Sequence, residues 1–464
     1  MQTFTKTLLT AAGLAALVSA AGPSVAAETA TSLNGHWDAV LVRDGLEIPF
    51  RLDIEGSGAD LKGVLYDGFR ANEKTTSASF QDGKLTLNIG HYLTTINATV
   101  EDGQLKGNVV AQNRESGSQY GFRAVRHVET AGAANAPSIA GSYVVPLATP
   151  SSKGENAFRL IVQQKGAEVE ASILRIDGDT GAYSGTYRDG KWVLSHFDGS
   201  RPGVITISTA ADGTLALQQL ATRGESAGKA EAGKNAYGAE VTQDGRYAKA
   251  LTAYRQDVAL AKGLPQPDDY LTHTVARDPN EKFTFNFPDA TGKLISNEDP
   301  RFKDKVVLAI VTGTWCPNCH DEAQYLVQLD KKYRDKGLAI VALDFEEPEQ
   351  QNGLQRANAF IKQYGVKYTY LYPGAPAEMW EKVPQLNHLD TWPATVFIGR
   401  DGKVKAVHSG FASPASAEFH EQLKQEFTTR IEALLAEKAT KAADASAPKK
   451  VAEAVPVATR WLAP

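Results

Sequence analysis

Only two cysteines occur among 464 residues, and they stand two positions apart in Trp315-Cys316-Pro317-Asn318-Cys319. One turn of helix can hold both sulfurs at that spacing within bonding reach, which suits the pair to making and breaking a disulfide. A strand-forming run, Lys305-Val306-Val307-Leu308-Ala309-Ile310-Val311, leads into the motif, and the helix-compatible His320-Asp321-Glu322-Ala323-Gln324-Tyr325-Leu326 follows it. The cysteines therefore sit where a strand passes into a helix. The first helical turn presents unpaired N–H groups and the positive end of the dipole, and both favour Cys316 as a thiolate. A thiol lowered from a pKa of about 8.5 to about 7 is roughly half ionised at neutral pH, a tenfold or greater gain in nucleophile. Pro317 fits the first helical position, where its missing N–H costs nothing. Cys319, deeper in the turn, is placed to attack a mixed disulfide at Cys316 and release the reduced partner.

The same pair admits a static disulfide or half of a metal site. Zinc would need two more soft ligands, and His320, His388, His408 and His420 do not stand in a finger-like spacing. Redox exchange is the reading the flanking elements favour, with no metal or cofactor required.

The N-terminal residues bear on compartment. Lys6, an apolar run from Leu8 to Ala21, Pro23 and small residues ending near Ala26-Ala27 read as a cleavable signal peptide over residues 1–27. At about 13 residues the run is short of the roughly 20 that span a bilayer. The expectation is a soluble, periplasmic or secreted mature chain with no bilayer insertion after signal removal. No cysteine follows the signal to accept a lipid. The net charge of −5 gives no reason to expect nucleic acid or an anionic membrane surface as partner.

The first half of the chain is a different material from the second. Alternating strand patterns are punctuated by Asp-Gly pairs at Asp67, Asp82, Asp102, Asp177, Asp189, Asp198 and Asp212, a strong hairpin signal. They also repeat: Gly35-His36-Trp37 answers Gly141-Ser142-Tyr143, Phe50-Arg51-Leu52 answers Phe158-Arg159-Leu160, and Gln81-Asp82-Gly83-Lys84-Leu85 answers Arg188-Asp189-Gly190-Lys191-Trp192. Phe122-Arg123-Ala124-Val125-Arg126 is echoed by Leu251-Thr252-Ala253-Tyr254-Arg255, despite a Gly- and Ala-rich insertion at about Thr222 to Gly238. Taken alone, Arg246 to Lys262 reads equally as a helix; the echo favours a closing strand. Two antiparallel β barrels or sandwiches are predicted, over residues 33–127 and 138–262. Ser195-His196-Phe197-Asp198 holds the ingredients of nucleophilic catalysis, but neighbours on a strand point to opposite faces, so a strand running into a turn at Gly199 is the expectation. Trp37, Tyr143 and Trp192 read as core aromatics.

Leu264-Pro265-Gln266-Pro267 marks a linker over residues 263–280, stiffened by its prolines. From Phe283 the pattern alternates strands and helices: a hairpin to Ile295, the strand before the cysteines, a helix to about Lys336 stopped by Gly337, and the buried strand Leu338 to Leu343. A helix from about Leu354 to Tyr364, strands at Ala394 to Ile398 and Lys403 to His408, and a helix from about Ala415 to Leu435 complete it. The alternation predicts a sheet covered by helices on both faces, over residues 281–436. Residues 437–464, with Ala442-Ala443-Asp444-Ala445-Ser446-Ala447-Pro448, read as a frayed helix end and a disordered tail.

The segment from about Phe283 to Leu435 resembles the thioredoxin fold, and in detail the TlpA and ResA-like family of exported thiol-disulfide reductases. The marks are Phe287-Pro288-Asp289 with Gly292-Lys293, the Trp315 to Cys319 motif, the acid Glu322, and Thr391-Trp392-Pro393-Ala394-Thr395-Val396-Phe397-Ile398. With the two β repeats already read from the pattern, the expected fold is a multidomain chain in which they precede an α/β domain that the resemblance makes thioredoxin-like. The resemblance further implies that Cys316 attacks, Cys319 resolves, and Pro393 is a cis-proline facing the sulfurs. Substrate would dock against Trp315, Pro317, Trp392 and Pro393. Glu322, three residues beyond Cys319 on the same helical face, would take the proton that Cys319 loses. His320 would add positive potential or lie on the surface. The implied partners are disulfide-bearing client proteins and a membrane-embedded thiol donor. Thr312-Gly313-Thr314 and Gln324 depart from the family's usual residues and bear on the reduction potential, where about 30 mV corresponds to roughly 1.4 kcal/mol.

Two other functions compete. Peroxiredoxins place proline and threonine before their reactive cysteine, where Ala309 and Gly313 stand here. A non-enzymatic binding or scaffold protein would rest on the β repeats instead.

Overall fold

A computed structural model describes residues 32–43, 45–112, 118–129, 135–220 and 250–443. The expected signal peptide, the insertion at about Thr222 to Gly238 and residues 444–464 lie outside the described residues. All elements below belong to the unit that begins at Asn34.

Alternation builds the first sheet. In Gly35–Arg43 the buried positions are Trp37, Ala39 and Leu41, and in Leu46–Glu55 the apolar ones are Ile48, Phe50, Leu52 and Ile54, as a half-covered antiparallel sheet requires, with Asp53 of the other face buried as well. Nine strands form it, and the first, Gly35–Arg43, pairs with both the second and the ninth, Ser118–Arg126. Asp82-Gly83 and Asp102-Gly103 are tight turns with both residues at positive φ, which Asp tolerates and Gly favours. The second repeat closes. Its strands run from Gly141–Pro146 to Leu251–Arg255, and Ala157–Lys165 pairs with Glu168–Arg175 to complete an eight-stranded barrel. The first repeat stays open because its edge strands, Arg70–Lys74 and Ser77–Gln81, lie at opposite ends of the sheet order.

The repeat is one of packing as well as sequence. Trp37 faces Leu52 and Arg126, and Tyr143 faces Leu160 and Arg255, in matching registers. The Arg126 guanidinium lies 4.1 Å from the Trp37 ring, and that of Arg255 lies 4.7 Å from Tyr143. Trp37, Tyr143 and Trp192 are all buried in the cores. The stretch that read as strand or helix is both, the strand Leu251–Arg255 followed by the helix Gln256–Ala261.

The proline-marked segment after it is not a free spacer. Val275–Ala276 pairs with Leu386–Asn387, and the Tyr270 carbonyl accepts from Ser409 N. The C-terminal sheet orders Thr369–Gly374, Leu338–Phe345, Val306–Thr312, Ala394–Ile398 and Val404–Ser409; the first three are mutually parallel, Ala394–Ile398 is antiparallel to Val306–Thr312, and Val404–Ser409 is antiparallel to Ala394–Ile398. One face packs under the helices Pro317–Tyr333, Gln355–Tyr364 and Glu418–Ala443 through Leu326, Phe360 and Phe427. The opposite face is covered differently from expectation. Where helices were expected on both faces, the hairpin Asn286–Pro288 with Leu294–Ser296, with Phe283 and Phe302 beside it, covers most of this one, together with the short helix Met379–Lys382. The last helix also runs past its expected end near Leu435, because Ala436 to Ala443 is rich in strong helix formers and the first proline comes only at Pro448.

Ile161 and Leu174 of the barrel join the same apolar cluster as Phe360 and Phe427. This is why the barrel strand Glu168–Arg175 is buried on both faces instead of alternating.

Candidate active site

Cys316 caps the helix Pro317–Tyr333 with an extended backbone, and Pro317 takes the first helical position. The Cys316 carbonyl accepts from Cys319 N at 3.0 Å and from His320 N at 3.3 Å, so the first turn is closed around the two thiols. Both cysteines are free and buried, Cys316 at 5 % exposure and Cys319 at 2 %. The Cys316 thiol can donate to the Trp392 carbonyl at 3.4 Å.

Their acidities split. Burial by itself raises a thiol, but the Cys319 thiol and the backbone N–H groups of Cys319 and Asn318 bond the Cys316 sulfur and carry its pKa below the ordinary value. Burial and the neighbouring Cys316 push Cys319 well above its own. Cys316 is thus the more acidic of the two thiols, and Cys319 holds its proton more tightly.

Glu322 lies one turn beyond Cys319, 1 % exposed, its carboxylate accepting the Thr395 hydroxyl. Burial raises its pKa to about 8 against the pull of Thr395, with the Cys316 charge adding to the rise. A carboxyl that titrates near neutrality beside a thiol is suited to move a proton. The bond between Trp392 and Pro393 is cis. Pro393 is buried, and its carbonyl accepts from Gly410 N at 2.8 Å. Trp315 donates to the Phe345 carbonyl at 2.9 Å and meets Trp392 edge to face at 5.1 Å. The departure at Gly313 has a steric cause, since a Cβ there would lie 2.2 Å from the Trp315 indole nitrogen.

His320 is neither a surface residue nor a source of charge. It is fully buried, donates from Nε2 to the Thr314 carbonyl at 2.7 Å and stacks at 4.2 Å on Tyr92, which lies in the turn Gly90–Tyr92 of the first repeat. Burial and the neighbouring His91 hold its pKa well below the usual value, so it is neutral. Its Nδ1 shares the Tyr364 hydroxyl, 3.0 Å away, with Glu73.

Several residues around the sulfurs carried no signal in local patterning. Arg356, 1 % exposed, binds Glu346 at 2.8 Å, Glu347 at 3.0 Å and the Thr314 hydroxyl at 3.2 Å, and Thr314 N donates to Asp344 and Glu346. This network clamps the loop before Cys316 to the strand Leu338–Phe345. The acidic run Asp344 to Glu347 after a buried strand was its only trace in the sequence.

The barrel also reaches the motif. Asn318, between the cysteines, donates to the Asp177 carbonyl at 2.8 Å and accepts from Arg201 at 3.1 Å; Arg201 is paired as well with Asp198 and Asp321. Asp179 accepts from Ser413 N at 2.7 Å, Ser413 Oγ at 3.0 Å and Ser416 Oγ at 2.6 Å. Two of the Asp-Gly pairs, at Asp177 and Asp198, lie in hairpin connections as expected, and those loops also grip the helix start. Ser195 and His196 form no catalytic pair: the Ser195 hydroxyl donates to the Pro49 carbonyl, and His196 faces Asp198 at 3.5 Å and the Ala182 carbonyl at 3.1 Å. Cys316 borders a cavity of about 380 Å³ that both β repeats help to wall. Among the described residues no cluster of three or more His, Cys, Asp or Glu could hold a metal ion, and no helix is long and apolar enough to cross a membrane.

Residues 277–423 match the Redoxin family. The thiol-disulfide oxidoreductase ResA of Bacillus thuringiensis (strain Al Hakam) is 32 % identical over 120 residues, 26 % of this chain and 62 % of its own. The ResA of Halalkalibacterium halodurans is 26 % identical over 163 residues, 34 % of this chain and 83 % of its own. A solved thiol:disulfide interchange protein of the thioredoxin family from Chlorobium tepidum TLS aligns with 35 % of this chain and 99 % of its own at 21 % identity, with a TM-score of 0.27. The chain spans about three fifths, 62 %, of the length of the first ResA relative.

Proposed function

We propose, from a chain whose C-terminal third is a TlpA/ResA-like domain of the thioredoxin superfamily, that this protein is an exported thiol-disulfide oxidoreductase working in the reducing direction. The observation that carries the reading is geometric: two free thiols one turn apart at a helix start, Cys316 capping the helix Pro317–Tyr333 and Cys319 in its first turn, beside the cis Trp392–Pro393 bond.

The Cys316 thiolate attacks one sulfur of a substrate disulfide, forming a mixed disulfide as the other substrate sulfur leaves and takes up a proton. Cys319 then gives its proton to the ionised Glu322 and attacks the Cys316 sulfur. The second substrate thiolate departs, and the enzyme is left as a Cys316–Cys319 disulfide, having supplied two electrons. Thr395 holds the Glu322 carboxylate in place, and Trp315, Pro317, Trp392 and Pro393 form the docking surface. No bound cofactor takes part; a dithiol donor, membrane-embedded by the family resemblance, restores the reduced pair. Residues 1–27 direct export to the periplasm or beyond.

Trapping tests this. With Cys319→Ser in an exporting host, a substrate attached through Cys316 and released by reductant is expected, and none with Cys316→Ser. An empty trap, together with Cys316 as slow to alkylate at pH 7 as a free-peptide thiol, would sink the reading.

A further inference from the structure

We propose that the partly open recess at Cys316 is a substrate site for low-molecular-weight disulfides that is closed to folded proteins, a proposal that rests on the disulfide-reductase reading above. The attacking sulfur does not stand on an outward surface. It lies at 5 % exposure on the border of a space of about 380 Å³, within the roughly 300–1,000 Å³ of small-molecule pockets. A folded protein client would instead have to seat a patch of its own surface around the sulfur, up to about 600 Å² even for a transient redox encounter. Three parts of the chain make the walls. Tyr92 and Tyr120 come from the first repeat, Phe197 and Arg201 from the barrel, and Trp315 and Trp392 stand beside the thiol.

The walls are fastened rather than laid on. Asn318, inside the CxxC motif, is held by the Asp177 carbonyl and by Arg201. Away from the cavity, Asp179 takes three hydrogen bonds from Ser413 and Ser416. The approach is so close that a Cβ on Gly178 would fall 2.5 Å from the Phe411 carbonyl oxygen and 2.8 Å from the Asn318 amide. On the other side Tyr92 stacks on His320, and Tyr364 of the helix Gln355–Tyr364 donates to Glu73 at 2.9 Å. The reaction admitted is RSSR plus the Cys316–Cys319 dithiol giving two RSH and the enzyme disulfide. Two electrons and two protons pass to the substrate, and one turnover needs no further reductant.

The test is a single turnover of the pre-reduced, desalted full chain. Bis(2-hydroxyethyl) disulfide and oxidised glutathione serve as small probes and insulin as the folded one, with loss of enzyme thiols followed by quenched alkylation. If the open form is about 1 % populated, the second-order rate for insulin falls about a hundredfold below that for the small probes. Asp179→Ala, which removes the latch outside the cavity, is expected to raise the insulin rate about tenfold and leave the small-probe rates within about twofold. Insulin reduced by the unaltered chain as fast as the small probes overturns the closed site while leaving the reductase reading intact. An insulin rate unmoved in a folded Asp179→Ala chain overturns it as well. Failure of all three probes to oxidise Cys316 overturns the reductase reading, and the closed site with it.

Discussion

Replacing Glu322 with Gln probes the proton path, because the amide keeps an oxygen for the Thr395 hydroxyl but cannot take a proton from Cys319. Burial sets the wild-type carboxyl at about 8, so about a tenth of it is ionised at pH 7 and about nine tenths at pH 9. If the ionised form receives the Cys319 proton, resolution of a Cys316 mixed disulfide should quicken about tenfold across that interval and level off above it. Cys319 needs the help, since burial and Cys316 hold its own pKa well above a thiol's usual value. Losing a positioned base costs about 10²- to 10⁴-fold. In Glu322→Gln the plateau rate should therefore fall at least a hundredfold, and the inflection near pH 8 should vanish. Stopped-flow release of a fluorescent thiol from pre-formed mixed disulfide, between pH 6 and 10, reads both effects. Superimposable profiles for the two proteins, or an inflection near 8 that survives in the variant, would refute the role.

The same carboxyl makes stability depend on pH. Its folded pKa stands above the unfolded value near 4.5, so the folded state holds the proton more tightly; this stabilisation is full below about 4.5 and is lost as pH rises through about 8. The shift corresponds to about 5 kcal/mol at most, and urea midpoints of the reduced chain should fall between pH 5 and 9 by more than those of Glu322→Gln. Arg356→Met leaves Glu346 and Glu347 buried without their guanidinium and should cost about 3–5 kcal/mol in chemical denaturation; the loop carrying Thr314 should loosen with it. Gly178→Ala places a methyl against the Phe411 carbonyl at a backbone φ of +112°. A maleimide carried on a folded protein should then reach Cys316 several-fold faster while iodoacetamide stays within about twofold, as the barrel loop is forced off the helix start, with the barrel's own circular dichroism retained.

Local chemistry made much of the site readable. Proline after the first cysteine, an apolar run before it and a helix-compatible run after it place Cys316 at a helix start, whatever else the chain does. Glu322 followed from helical spacing together with family resemblance. His320 escaped the same reasoning, because its surroundings come from elements that are distant in sequence: Tyr92 from the first repeat, Tyr364 from the helix Gln355–Tyr364 and the Thr314 carbonyl. Arg356 reads as an ordinary surface residue on an amphipathic helix until the end of the strand Leu338–Phe345 brings Glu346 beneath it.

The β repeats show the same division. Asp-Gly pairs and alternating apolar residues determine hairpins, since turn geometry and side-chain period act over a few residues. Matching segments about a hundred residues apart determined that there would be two related units. Whether each sheet closes depends on how its edge strands meet, and only the second repeat brings Ala157–Lys165 and Glu168–Arg175 into one continuous ring.

By itself, then, the sequence determined that two cysteines would stand at a helix start and the strand–helix order of the domain that bears them, because each is set by neighbours in the chain. Tertiary structure alone decided that Asp177, Asp179 and Arg201 of the barrel would close over that helix and leave the thiol on the wall of a cavity. Contacts between surfaces more than a hundred residues apart leave no periodicity to read, and their hydrogen bonds form only after each unit has fixed the shape of its own loops.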